Sequence, residues 1–150
     1  MENSTARRLP VDGPKRILVG FDGSDAAQRA VRLALTWGHA AGAAAWIVNA
    51  SETPRAVAEP RTEEAQGTEA AAIAAALGEV RRYAGTVGVP TTIWMREGAP
   101  DRVIIEAAAE VNADLIIVGT RGLRGPARLL LGSVSTAVLS HAGRPVLVVP

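Results

Sequence analysis

Asp114-Leu115-Ile116-Ile117-Val118-Gly119-Thr120-Arg121-Gly122-Leu123-Arg124-Gly125-Pro126-Ala127-Arg128-Leu129-Leu130-Leu131-Gly132-Ser133-Val134-Ser135 is the stretch on which the reading of this chain turns. Ala113 and the run Leu115-Ile116-Ile117-Val118 are apolar, mostly β-branched and too short for a helix. That pattern describes a parallel strand buried on both faces. Gly119 ends the strand, and a loop with glycines at 119, 122, 125 and 132 follows. Ser133 then opens a helical run through Val134, Ala137, Val138 and His141. A strand, a glycine-rich loop and a helix N-terminus together make a phosphate cradle. Glycine has no Cβ to hold a ligand off the backbone N–H groups, and the helix dipole presents its positive end.

Two common phosphate loops do not fit. A Walker A loop needs G-x-x-x-x-G-K-[ST], and the single lysine, Lys15, lies elsewhere. A dinucleotide fingerprint needs G-x-G-x-x-G between strand and helix, whereas Gly119, Gly122 and Gly125 are spaced by three. The spacing present is glycine, two residues, glycine, nine residues, glycine-serine: Gly119, Gly122, Gly132-Ser133. It resembles the ATP-binding signature of the universal stress protein family, and Val134-Ser135 looks like that signature's continuation. Without a ligand, the same glycines would read as turn residues.

Working outward, the chain alternates strand and helix. Ile17-Leu18-Val19-Gly20-Phe21 reads as a first strand, with Ser24 or Asp25 as N-cap of a helix whose apolar face is Ala27, Ala30, Val31, Ala34, Leu35 and Gly38, ending near Gly42. Ala44 to Ala50 reads as a second strand, and the polar segment from Ser51 to Gly67 as a loop, either a lid or a plain connection. Thr68 to Val87 reads as a helix with Ile73, Ala76, Leu77, Val80 and Ala84 inward. Thr91 to Glu97 reads as a third strand near a sheet edge, and Pro100 starts a helix burying Val103, Ile104, Ala107, Ala108 and Val111. A last strand, Val146 to Val149, follows Gly143-Arg144-Pro145. Five strands alternating with four helices specify a doubly wound α/β sheet in one domain. Residues 1–14 are expected to be a flexible tail and 15–150 the domain.

Composition removes several function classes. There is no cysteine, so no disulfide frame or thiol nucleophile is available. The net charge of +1 argues against a nucleic-acid protein working by bulk electrostatics, and five aromatic residues are few for base stacking. No run approaches the ~18 apolar residues of a membrane span. A soluble, cytoplasmic protein is the expectation. His39 and His141 sit on separate helices without metal-ligand spacing.

The resemblance covers residues ~15 to 150 and implies an adenine-nucleotide alpha-hydrolase-like fold with strand order 3-2-1-4-5 and helices on both faces. In that order the winding reverses between strands 1 and 4, and ligands bind at the carboxyl ends of those strands. The resemblance implies a cofactor, ATP, with Mg2+. Gly119 and Gly122 would admit its sugar and phosphates. Gly132, Ser133, Val134 and Ser135 would hold the phosphate chain through N–H groups and hydroxyls, although a serine there also suits an N-cap. Asp22 would meet the nucleoside or its metal, with helix capping as the alternative. Gly20 and Phe21 would line the same wall, Val48 and Val118 would pack on adenine, and Arg121 would offset phosphate charge. Arg124 and Arg128 stand nearby.

The expected function is a nucleotide-dependent regulator or scaffold of the stress response with slow hydrolysis at most, since no positioned nucleophile or charge clamp is evident. An unidentified regulatory protein is the expected partner. The apolar last strand is expected to pair with its copy and make a homodimer. The alternative is a homodimeric interaction module of the same fold that binds no nucleotide. A nucleotidyl transferase or flavin carrier of related fold would need further catalytic groups or a second domain, for which 150 residues are expected to leave no room.

Overall fold

The computed structural model describes residues 8–52, 63–120 and 131–150. Its elements are β1 (Arg16–Gly20), α1 (Asp25–Ala41), β2 (Ala44–Ser51), α2 (Glu63–Val87), β3 (Thr91–Glu97), α3 (Pro100–Glu110), β4 (Leu115–Gly119), α4 (Ser133–His141) and β5 (Val146–Val149). The strands form one sheet in the order β3-β2-β1-β4-β5, every pair parallel. This is the doubly wound order that the resemblance implied, and its winding changes direction between β1 and β4.

Strand alternation sorts the core into two layers. Ile17, Val19, Ile47, Leu115 and Ile117 pack with Ala27, Ala30, Val31, Ala34 and Leu35 of α1 and Leu77, Val80 and Ala84 of α2. Leu18, Val48, Ile116 and Val118 face the other way, onto Val103, Ile104, Ala107 and Ala108 of α3 and Val138 of α4. Covering both faces explains why β1 and β4 read as unbroken apolar runs. Alanine lines the inner side of α1 and α3, so those helices lie close to the sheet.

Local signals set the ends of the elements. Ser24 caps α1, its Oγ accepting from the Ala27 N–H at 3.1 Å. Gly42 closes α1 at φ 63°, a left-handed conformation in which a Cβ is strained. Pro100 stands in the first turn of α3. Before β4, the buried Asp114 accepts from the backbone N–H groups of Lys15 (2.9 Å) and Arg16 (3.0 Å), tying the chain entering β1 to β4.

Three boundaries differ from the sequence reading, the first at the end of β2, which runs on to Ser51. α2 begins at Glu63, five residues before Thr68, so residues 63–67 are helix and not loop. Those residues carry no apolar face for a periodicity test to find. β1 runs from Arg16 to Gly20, one residue earlier at each end than the apolar run.

Candidate functional site

The winding of the sheet reverses between β1 and β4, and in doubly wound sheets the ligand crevice is at the carboxyl ends of the two strands where that happens. Its floor is set by the β1–α1 turn. The Phe21 N–H donates to the Val48 carbonyl at 2.9 Å, extending the β1–β2 ladder one step beyond Gly20. The Phe21 carbonyl accepts from Asn49 Nδ2 at 2.8 Å, a buried bond. Asp22 is half-buried, and its Oδ1 accepts from the Ser24 N–H at 2.9 Å, closing an Asx turn that leads into the Ser24 cap. Gly23 has φ 83°, and a Cβ there would come within 2.8 Å of Ile73 Cδ1 of α2. Asp22 therefore has a structural task in this turn whatever else it contacts.

The second wall is β4 and the start of α4. The Thr120 N–H donates to the Val149 carbonyl at 2.7 Å. The Thr120 carbonyl accepts from the Gly132 N–H at 2.5 Å, clasping the base of the loop between them. Gly132 is the N-cap of α4, with extended backbone (φ −77°, ψ 169°) and no side-chain cap bond. The N–H groups of Ser133, Val134 and Ser135 have no acceptor within a helix by geometry, so the positive end of α4 opens at this loop. Ser133 is exposed and Val134 half-buried. Ser135 is buried, and its hydroxyl donates inward to the Gly132 carbonyl at 3.0 Å and the Thr120 carbonyl at 3.3 Å. Its side chain thus braces the clasp, while Ser133 presents the exposed hydroxyl.

The structure brings Gly20, Asp22, Val118, Gly119, Gly132, Ser133, Val134 and Ser135 to this end of the sheet. Arg121 and Gly122, with Arg124 and Arg128, lie outside the described residues. Gly20 and Phe21 were expected on one wall, yet alternation sends the Phe21 ring into the layer under α1 and α2. A Cβ on Gly20 would instead meet Ile104 Cδ1 of α3 at 2.6 Å and Val118 Cγ1 at 3.3 Å, in the opposite layer. Val48 and Val118 do share that layer, 1% and 3% exposed. Ala50, two residues beyond Val48 on the same face, is half-buried and nearer the mouth of the crevice.

Gly119 has a packing reason of its own. A Cβ there would lie 2.8 Å from Ala26 Cβ and 3.1 Å from both Ala26 C and Ala27 N, so the first turn of α1 crosses β4 at backbone contact. Sequence reasoning missed Asn49, Thr120 and Ala26. Asn49 carried a signal: a side-chain amide in an otherwise apolar strand must find a partner when buried.

Among the described residues, no group of three or more His, Cys, Asp or Glu is placed to hold a metal ion. Magnesium at a nucleotide needs only one or two carboxylates, the phosphates and water supplying the rest. Asp22, just beyond the carboxyl end of β1, is a half-buried carboxylate at this end of the sheet. Away from this site, the Arg96 guanidinium of β3, hydrogen-bonded to Glu110 of α3, holds that carboxyl below its ordinary value.

Comparison with known proteins agrees with the topology. The sequence model of the universal stress protein family matches residues 13–150. A universal stress protein of Thermus aquaticus is 38% identical over 145 residues, covering 90% of this chain and 98% of its own. One from Methanocaldococcus jannaschii is 37% identical over 145 residues, covering 90% and 81%. Among solved structures, the universal stress protein UspA of Lactobacillus plantarum has a TM-score of 0.77 at 26% identity, over 91% of this chain and 97% of that one. A universal stress protein solved in complex with cAMP has a TM-score of 0.70 at 33% identity, with the same coverage of 91% and 97%. The matched length, the identities and the 3-2-1-4-5 sheet agree: the chain belongs to the universal stress protein family.

Proposed function

We propose that this universal stress protein binds ATP together with Mg2+ in the crevice between the β1 and β4 loops, and works as a nucleotide-dependent regulator or scaffold of the stress response in the cytoplasm. The observation that carries the reading is the start of α4. Gly132 caps the helix with backbone alone, and its Gly-Ser pair completes the spacing from Gly119 and Gly122 at the sheet's switch point. The 33% identical relative solved with cAMP supports an adenine nucleotide as the ligand class. In this arrangement the first-turn amides of α4 and the Ser133 hydroxyl hold phosphate. Asp22 meets the ribose or the metal, and Ala50 with Val118 borders the base. The segment from Gly119 to Gly132 contains three arginines and no carboxylate, so it suits phosphate charge and offers no base to activate a water. Hydrolysis is accordingly slow at most.

The test is Gly132→Asp. The backbone there accepts any residue, and aspartate is a preferred N-cap, so α4 keeps or gains stability. Its carboxylate would occupy the amides that phosphate needs. Like charges about 4 Å apart repel by roughly 4 kcal/mol at an effective dielectric of about 20, enough to weaken ATP binding about a hundredfold or more. Calorimetric binding of Mg·ATP to wild type, lost in a Gly132→Asp protein of unchanged melting temperature, supports the reading. No saturable binding to wild type refutes it.

The packing roles of Gly20 and Gly119 and the inward Ser135 hydroxyl favour a second reading, a homodimeric interaction module without nucleotide. Both readings use β5, which is apolar, half-buried and at the sheet edge, as the strand that pairs with its copy and as part of the surface shown to a regulatory protein.

A further inference from the structure

Phe21 is held at both its backbone N–H and its carbonyl by two consecutive residues of β2, and the second of these bonds fixes the Phe21–Asp22 peptide. The Val48 carbonyl takes the Phe21 N–H at 2.9 Å, and Asn49 Nδ2 donates to the Phe21 carbonyl at 2.8 Å. Asn49 is 6% exposed, in a strand whose other inward residues are apolar. The nitrogen assignment follows from chemistry, because only the NH2 group can bond a carbonyl oxygen. A trans peptide is planar, so fixing the direction of the Phe21 C=O also fixes the following N–H, which points the opposite way. β1 lies between β2 and β4. A carbonyl pulled toward β2 therefore aims the Asp22 N–H toward β4 and the crevice. The same bond sets where the Asp22 carboxylate starts its Asx turn.

Resting on the nucleotide reading above, we infer that Asn49 is the positioning residue of the nucleoside half of the site. It touches no ligand. It orients Asp22, so that the N–H and carboxylate of that residue face the sugar, while the phosphates are held independently at α4. The bond also satisfies the buried Phe21 carbonyl, which a valine or leucine at 49 would leave without this donor, so the test separates that structural task from the positioning one.

The experiment compares Mg·ATP and inorganic tripolyphosphate binding by calorimetry in four full-length proteins: wild type, Asn49→Leu, Asp22→Ala and the double variant. Asn49→Leu keeps the side-chain shape and removes the donor. The expected result is an affinity for ATP about tenfold weaker in Asn49→Leu, with tripolyphosphate affinity unchanged and no further ATP loss when Asp22→Ala is added. A purely structural role for Asn49 would lower the melting temperature, leave ATP and tripolyphosphate affinities of the folded protein alike, and so overturn the inference. Additive losses in the double variant would also overturn it. Asn49→His decides the matter should Asn49→Leu fail to fold, because a ring Nδ1–H sits where the amide nitrogen does. Near wild-type ATP affinity in that variant supports the inference, and a folded protein with lost affinity refutes it. Absence of ATP binding in wild type is a separate outcome, which removes the nucleotide reading and this inference with it.

Discussion

Gly119→Ala tests whether the first glycine of the motif is there for the protein or for a ligand. The Cβ it adds would lie 2.8 Å from Ala26 Cβ and 3.1 Å from Ala26 C and Ala27 N. Carbon atoms are comfortable at about 3.5–4.0 Å, so the closest contact is short by about 1 Å. Two of the three atoms are backbone in the first turn of α1, and the Ser24 cap and the Asp22 turn hold that turn in place. The φ of Gly119 is not in the left-handed range, so the cost is packing alone. Overpacking costs about 1–3 kcal/mol, and an obstacle made of backbone places this case near ~3 kcal/mol. For a domain of this size that lowers the melting temperature by roughly 6–12 °C. Gly20→Ala is the internal control. Its Cβ meets Ile104 Cδ1 at 2.6 Å, but that is the far end of a side chain that can rotate, and the expected cost is ~1 kcal/mol. Urea unfolding followed by circular dichroism measures both, with an unchanged m-value confirming an intact transition. The reasoning is refuted if Gly119→Ala stays within ~0.5 kcal/mol of wild type or costs less than Gly20→Ala.

Ser24→Ala removes the α1 cap and should cost ~1 kcal/mol in the same assay. Asp114→Ala leaves the Lys15 and Arg16 N–H groups without their buried acceptor and should cost more, about 2–3 kcal/mol. Arg96→Ala should return the Glu110 carboxyl upward to its ordinary titration range, readable by NMR. Because the folded value is depressed, whatever the pair contributes is present at neutral pH and fades as acid carries the solution through that value. Val148→Lys places a charge on β5, and light scattering should report a monomer; an unchanged dimer mass would exclude this edge as the interface.

Strand and helix identity, their alternation and the inward faces of α1, α2 and α3 were legible because apolar periodicity and burial are the same physical fact, whereas the strand order came from the resemblance of the glycine spacing to the family's signature. The extra turn of α2, residues 63–67, was not, because its sequence Glu-Glu-Ala-Gln-Gly carries no apolar stripe. Its composition of Glu, Ala and Gln is that of a helix start, so propensity held the clue that periodicity lacked. The candidate site divides in the same way. A glycine spacing marks where backbone must come close, but it does not say close to what. At Gly119 the neighbour is helix α1, and at Gly20 it is Ile104. Likewise the spacing could not show that Ser135 turns inward while Ser133 stays exposed, a difference set by which side of α4 packs on the sheet. Asn49 escaped because its task is visible only once β1 and β2 are side by side.

The most direct measurement is residue-level: amide resonances of the isotope-labelled protein followed through a titration with Mg·ATP. The account predicts saturable shifts concentrated at Asp22, Ala50, Gly119 and Ser133 to Ser135, with Gly42 and the carboxyl end of α2 unmoved. Shifts that saturate elsewhere while those amides stay still, or no shifts at millimolar nucleotide, would contradict it.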